Sequence, residues 1–261
     1  MEHRYAEGRA ERLPALADEL VGLQVDVIFA AAAPSIRAAK QATTTIPIVF
    51  QTLGDAVAMG FVDNLVRPGG NITGVTGFAP ELGGKWLDQL RKVVPDNTHV
   101  AVLTNPGNPN TPSIVREIER AARALDVQLH IVERRDPITF EHAFATMTSA
   151  QVGALIVPPD PLFYRERRQI VGLAATHRLP AIYGIGRFVD IGGLMFYGTS
   201  LPDHWRRAAV YVDKILRGAN PGDLPIERPT KFDLIVNLKT AKQLGITIPP
   251  MVLYQATKVI R

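Results

Sequence analysis

Short apolar runs alternate along this chain with longer amphipathic stretches. The runs Val25–Ala31, Ile46–Phe50, His99–Leu103, Val127–Val132, Ala154–Val157, Ala181–Tyr183, Leu194–Tyr197 and Phe232–Val236 predict strands. Most are continuous rather than alternating, as expected of parallel strands covered on both faces. Between them, Ile114, Ile118, Ala121 and Leu125 share one helical face, and so do Trp205, Ala209, Val212 and Leu216. Thr111-Pro112 predicts a helix start, with a hydroxyl N-cap and proline in the first turn, and Gly218 predicts a helix end. Strand–helix–strand alternation with short loops defines an α/β protein built from right-handed crossovers.

Two arrangements accommodate this alternation. One is a closed (β/α)8 barrel; the other is two smaller doubly wound lobes facing each other across a cleft. Arg67-Pro-Gly-Gly-Asn-Ile-Thr-Gly-Val-Thr-Gly77 is too glycine-rich for a central strand and reads as a crossing strand or hinge. The same texture recurs at Ile191-Gly-Gly-Leu-Met-Phe-Tyr-Gly198. Two such segments flanking a self-contained run of βα units favour two lobes. The expected division is residues 1–77 with 199–225 in the N-terminal lobe, and 78–198 with 226–261 in the C-terminal lobe.

Composition narrows the functional classes. With 261 residues, 46% hydrophobic, the chain can bury one large core or two modest ones. Twenty-nine Lys and Arg against 25 Asp and Glu leave a net charge of +4. These charges are scattered, with no basic arm, which argues against a nucleic-acid partner. The absence of cysteine removes disulfides, thiolate metal sites and cysteine nucleophiles. No apolar run approaches the length of a membrane span. The opening MEHRYAEG carries no charged-then-apolar leader and begins almost inside a secondary-structure element, so the natural beginning is expected to lie outside this sequence.

A search for catalytic chemistry finds no G-x-S-x-G, S-x-x-K, H-E-x-x-H, Walker A or G-x-G-x-x-G motif in its required context. His3, His99, His130, His142, His177 and His204 share no helical ligand spacing, and neither a metal nor a cofactor is expected. His99 and His130 read as partnered structural histidines in strands. The informative residues lie after the strands, where loops and helix N-termini converge on ligands in open parallel sheets. Those loops are Ala33-Pro34-Ser35, Gln51 to Asp55, Asn105 to Thr111, Pro158-Pro159-Asp160 and Tyr183 to Arg187. Hydroxyls and backbone N–H groups there suit the carboxylate of an amino acid, and an Asp suits its ammonium. Each of these residues could equally be a cap or a turn former. Asn110-Thr111 is the least ambiguous, because an asparagine at a helix start can serve both purposes.

The segments PIVFQTLGDAVAMGFVDNLVRPGGNITGVTG, LTNPGNPNTP, IGGLMFYGTS and PTKFDLIVNLKTAKQLGITIP resemble the substrate-binding proteins of ABC importers. The resemblance is to the group that includes tryptophan- and tyrosine-type binding proteins, and it runs from about residue 3 to the end. It implies a type I periplasmic-binding-protein fold: two Rossmann-like lobes with parallel sheets, joined by a multi-crossing hinge. Gly74, Gly77 and Gly198 would then be hinge residues. It also implies ligand contacts at Ser35, Gln51, Asp55, Asn110, Thr111, Asp160, Tyr183, Arg187 and Tyr197. The family's Asp-Pro keeps its acid at Asp55 but has Ala56 for proline, its Asn-Ser becomes Asn110-Thr111, and its Gly-Gly-Leu-x-x-Tyr-Gly is Gly192–Gly198. Phe163 is a further aromatic that could stack on a ring or pack a helix face. These substitutions make the choice of tryptophan as ligand unsafe.

The expectation is therefore a non-catalytic periplasmic receptor that takes an amino acid or small aromatic acid in the interlobe cleft and delivers it to an ABC permease. The alternatives are the effector-binding half of a regulator or sensor, which uses the same fold, and the (β/α)8 enzyme. Family members carry an export signal and a first strand and helix ahead of a strand matching His3–Gly8. The N-terminal lobe is thus expected to lack that first strand and helix. The exposed edge would be covered by a second copy in a homodimer, or the lobe would be weakened.

Overall fold

The structure is a computed structural model that describes residues 1–77, 81–96, 98–135 and 138–261. In chain order its elements are α1 (Leu13–Gly22), β1 (Ile28–Ala31), α2 (Ala33–Ala42), β2 (Ile48–Thr52), β3 (Ile72–Thr76), α3 (Leu82–Val93), β4 (His99–Thr104), α4 (Thr111–Leu125), β5 (Gln128–Glu133), α5 (Phe140–Ser149), β6 (Ala154–Val157), α6 (Pro161–Arg165), α7 (Arg167–Thr176), β7 (Ala181–Tyr183), β8 (Met195–Gly198), α8 (Leu201–Leu216), β9 (Asp233–Asn237), α9 (Leu238–Leu244), α10 (Pro250–Gln255) and β10 (Lys258–Ile260). There is no closed barrel. The chain divides into two compact units, Met1–Ala79 with Leu201–Thr230 and Pro80–Ser200 with Lys231–Arg261. The first expected boundary, at residue 78, lies outside the described residues. The last passage falls after Thr230 rather than after residue 225, because Ile226 N–H donates to Leu65 O and Glu227 N–H to Gly74 O in the first unit.

The first unit holds a three-stranded parallel sheet in the order β1-β2-β3. Its strands alternate their side chains between two apolar layers. Ile28, Ala30, Ile48, Phe50 and Ile72 pack with Ile36 and Ala39 of α2 and with Met59 and Phe61, while Val49 and Val75 pack with Ala208, Tyr211 and Ile215 of α8. The segment read as too glycine-rich for a central strand contains β3, which stands at the end of the order β1-β2-β3 and is buried throughout. Glycine is required there by close approach: a Cβ on Gly74 would lie 2.2 Å from Phe50 O across the β2–β3 pair. Gly74 is thus inside a strand, whereas Gly77 and Gly198 stand just before passages between units.

Two further readings are corrected in this unit. His3–Gly8 forms no strand; it ends in a turn with positive φ at Glu7 and Gly8, and Arg4 pairs with Glu19 of α1. On α8 the buried face is His204, Ala208, Tyr211 and Ile215, one position out of register with the stripe read from the sequence. Trp205 and Leu216 are 56% and 59% exposed. An apolar stripe at helical spacing does not say which flank the sheet will take when a second set, one residue away, is also largely apolar. Gly218 does end the helix, at φ 97°, with its N–H on Ile215 O.

The second unit is a seven-stranded sheet in the order β10-β9-β8-β7-β6-β4-β5. All neighbours are parallel except β8 and β9. Because β5 lies on one side of β4 and β6 on the other, right-handed crossovers put α4 and α5 on opposite faces. The interior strand β6 is accordingly buried at every residue, the two-sided burial expected of an unbroken apolar run. Trp86, Leu87 and Leu90 of α3 and Phe140, Phe144 and Met147 of α5 are among the side chains buried by this packing.

Candidate functional site

In the second unit the loops after β4 and β6 meet in one polar corner. Asp160 ends the β6 loop and caps α6. Its Oδ1 accepts from Leu162 N (2.7 Å) and Phe163 N (3.2 Å), and its Oδ2 accepts from Asn105 Nδ2 (3.1 Å) and Asn108 Nδ2 (2.7 Å). Only 3% of the residue is exposed. A carboxylate offers about four acceptor sites, so this one is saturated. Each asparagine is held from its other end: Asn105 Oδ1 accepts from Gly107 N and Asn108 Oδ1 from Asn110 N, both at 3.0 Å. Thr111 Oγ1 donates to Asn105 O at 2.7 Å.

Around this corner Leu103, Thr104, Asn105, Asn108, Thr111, Ile114, Val115, Pro158, Pro159, Asp160 and Phe163 line a narrow recess. Phe163 meets Phe140 edge to face, and the Arg134 guanidinium lies over the Phe140 ring at 5.3 Å. The recess therefore has apolar walls and a rigid set of amide and hydroxyl groups at one end. Each asparagine amide carries two N–H donors, and one of each is committed to Asp160. The second donors suit an acceptor such as a carboxylate or carbonyl, with hydrocarbon or a ring against the apolar walls.

The structure brings Thr111 and Asp160 together here, in altered roles, while Asn110 does not line the recess and contributes its backbone N–H to Asn108 Oδ1. Thr111 is the first helical residue rather than the N-cap; Asn110 occupies the cap position in a helical conformation, and its side chain does not cap. Asn105 and Asn108 lie in the loop named from the sequence but were not singled out as contacts, and Thr104 lies outside it; the repeated Asn-Pro in Asn105–Asn110 is the signal that could have singled out the two asparagines. Tyr183 is not at the recess. It is 1% exposed, stacks on Phe188 at 4.7 Å, and burial raises its hydroxyl pKa far above the usual tyrosine range. Arg187 is exposed and pairs with Asp190. Tyr197 stacks on Phe232 at 6.0 Å, its carbonyl accepts from Trp86 Nε1 at 2.7 Å, and burial, then Glu81 and Asp88, raise its pKa.

In the first unit the remaining candidates lie at the C-terminal ends of β1 and β2. Ser35 is in the first turn of α2, whose entry residue Ala32 takes φ 68°, ψ 153°. That backbone region is nearly exclusive to glycine and costs about 1–3 kcal/mol, a strain that concentrates at ligand-handling turns. The Ala32 N–H donates to Gln51 O at 2.9 Å. Asp55 Oδ1 accepts from Val57 N and Ala58 N, closing an Asx turn. Gln51, 5% exposed, places its amide nitrogen 3.4 Å from His204 Nδ1. With that amide donating, the His204 proton resides on Nε2, which is buried and has no partner among the described residues.

Burial lowers the His204 pKa, opposed by Asp203. The folded first unit thus holds a neutral ring where the unfolded chain would take up a proton below about pH 6.5. This contribution to stability is complete above that pH and is lost as pH falls through the lower folded value. Unfolding of the first unit is expected to be easier at pH 5.5 than at pH 7.5, and His204→Gln should flatten that difference. An unchanged pH slope in His204→Gln would remove His204 as its source.

Two open α/β units exchanged by three passages of the chain define the type I periplasmic-binding-protein fold. Residues 1–260 match the family described as ABC transporter substrate binding protein, and the chain belongs to that family. A tyrosine-binding protein of Clostridioides difficile (strain R20291) is 25% identical over 233 residues, 88% of this chain. The chain spans 66% of that relative's length. A conserved domain protein from Vibrio cholerae shares the fold with a TM-score of 0.92 and 26% identity over 99% of this chain and 86% of its own. The ABC domain in complex with L-Trp from Streptococcus pneumonia gives 0.91 at 24% identity, over 98% of this chain and 85% of its own. The family consists of solute-binding proteins, not enzymes. Among the described residues, no helix is long and apolar enough to cross a membrane.

Proposed function

We propose that this protein is the periplasmic receptor of an ABC importer, which binds an amino acid with an aromatic side chain, or a small aromatic acid, and hands it to a membrane permease. The observation carrying the reading is the recess in the second unit, where oriented amides of Asn105 and Asn108 and the Thr111 hydroxyl border apolar walls. The second N–H of each amide suits the carboxylate of such a ligand, while the Thr111 hydroxyl, donating to Asn105 O, holds the loop; Phe163, Ile114 and Pro159 suit the ring. The likeness to a tyrosine-binding protein and to a structure containing L-Trp supports this class. Ser35, Gln51 and Asp55 supply the polar groups of the first unit, and Gly77 and Gly198 the hinge.

Titration of the purified chain with tyrosine, tryptophan, phenylalanine and benzoate, followed by calorimetry, tests it. Saturable binding of at least one, with the ligand recovered unaltered, is expected. Binding of none, or conversion of any, would overturn the reading. The edge strand β1, with Phe29 47% exposed, supports self-association through a second copy. Sedimentation showing only monomer across a concentration series would remove that part alone.

A further inference from the structure

We propose that His99 and His130 form a binding site for a divalent transition-metal ion that prefers imidazole, of the zinc, nickel or copper class. The two residues stand on adjacent parallel strands. His130 of β5 is the register partner of Ala101 on β4, so His99, two residues before Ala101, is its diagonal neighbour on the same face. Their ring nitrogens, His99 Nδ1 and His130 Nε2, are 3.2 Å apart, with ring planes 23° from parallel.

That separation is the bite of a chelate. Two imidazole nitrogens bound at about 2.0–2.1 Å to one ion lie about 2.9–3.4 Å apart for angles between square and tetrahedral. To chelate one ion, each ring must turn its nitrogen lone pair about 35–45° off the N···N line of their mutual hydrogen bond, and the donating ring must move its proton to its other nitrogen. Both side chains are part-buried, and the backbone beneath them is pinned. Gln128 N–H donates to Thr98 O, and Gly153 N–H to His99 O. Among the described residues no third histidine or carboxylate joins them, so solvent would complete the coordination and the ion would exchange readily.

The site lies at the N-terminal ends of β4 and β5, whereas the recess lies at the C-terminal end of β4. Its occupancy is therefore independent of the proposed ligand. β5 is the edge of its sheet and pairs only with β4. A bound ion would clip that edge strand to the sheet, and binding to the folded state alone raises the melting temperature with ion concentration.

The test uses the untagged full chain, stripped with a chelator and titrated with Zn2+, Ni2+ and Cu2+. Saturable uptake of one ion per chain is expected, with a rise in melting temperature. The Cu2+ electron paramagnetic resonance spectrum should show two imidazole nitrogens. His99→Gln and His130→Gln should each weaken uptake by about tenfold or more, while His142→Gln and His177→Gln leave it unchanged. The proposal is overturned if none of the three ions binds saturably, if the double His99→Gln/His130→Gln variant binds like the original, or if the control variants bind more weakly. Should the double variant fail to fold, the Cu2+ spectrum of the original decides alone, and fewer than two imidazole nitrogens overturns the site.

Discussion

Asp160→Asn is expected to cost the second unit about 2–4 kcal/mol of stability and to weaken ligand binding by about tenfold or more. The change is nearly isosteric, so packing is preserved and hydrogen-bond chemistry alone is altered. Oδ1 accepts from the first turn of α6 while Oδ2 accepts from Asn105 and Asn108. An amide in place of the carboxylate turns one of these acceptors into a donor. If its nitrogen takes the Oδ2 position, it faces two asparagine donors; if it takes the Oδ1 position, it faces two backbone N–H groups. Flipping Asn108 to compensate would break its bond to Asn110 N. Two donors, one buried and one part-buried, lose their acceptors in either arrangement, the buried one at about 1–3 kcal/mol and the part-buried one at less.

Stability of the second unit can be read from Trp86, 2% exposed, in a Trp205→Phe background. Buried Trp86 reports unfolding as a red shift of emission. A midpoint in urea equal to that of the parent would mean that the Asn105–Asn108–Asp160 network does not hold the loop. A destabilised variant with unaltered affinity, measured where it is fully folded, would move the ligand away from the recess and leave the network intact.

Gly74→Ala is expected to destabilise the first unit by about 3 kcal/mol or more, as an insertion into packed backbone. The new Cβ would stand 2.2 Å from Phe50 O, 2.7 Å from Phe50 N and 2.9 Å from Phe50 C. All three are backbone atoms of the paired strand, so no rotamer change relieves the overlap, and β2 and β3 must separate where both are buried. Gly69→Ala and Gly70→Ala meet no atom within 4 Å, but their φ values of 66° and 63° make them strained turn substitutions of smaller cost. Melting of Gly74→Ala followed through Trp205, in a Trp86→Phe background, separates the cases. A midpoint no lower than that of Gly69→Ala would show that close approach is not what requires the glycine.

The linear pattern of residues determined the local features of this protein. The runs Ala154–Val157 and Ala181–Tyr183 show why: an unbroken apolar run between turn formers is best buried inside a two-sided sheet, and both strands fall on those residues. The loops after the strands were likewise legible as the polar part of the chain, because a parallel sheet leaves its C-terminal loops and helix starts as the available polar surface. Family membership was carried by long motifs, not by any one residue.

Tertiary structure decided what depends on neighbours far apart in the chain. Whether Asp160 offered a free charge or a saturated one depended on Asn105 and Asn108, more than fifty residues away. Tyr183 and Tyr197 look alike in sequence, yet Phe188 and Gly193 enclose one while the other is only partly buried against Phe232. Helical spacing could not detect the pairing of His99 with His130, because it arises across two strands in register. The flank by which α8 meets its sheet was open too, since Trp205 and His204 differ by one position and only packing chose between them. Periodicity sets which residues share a face; the partner that covers the face sets what each residue does.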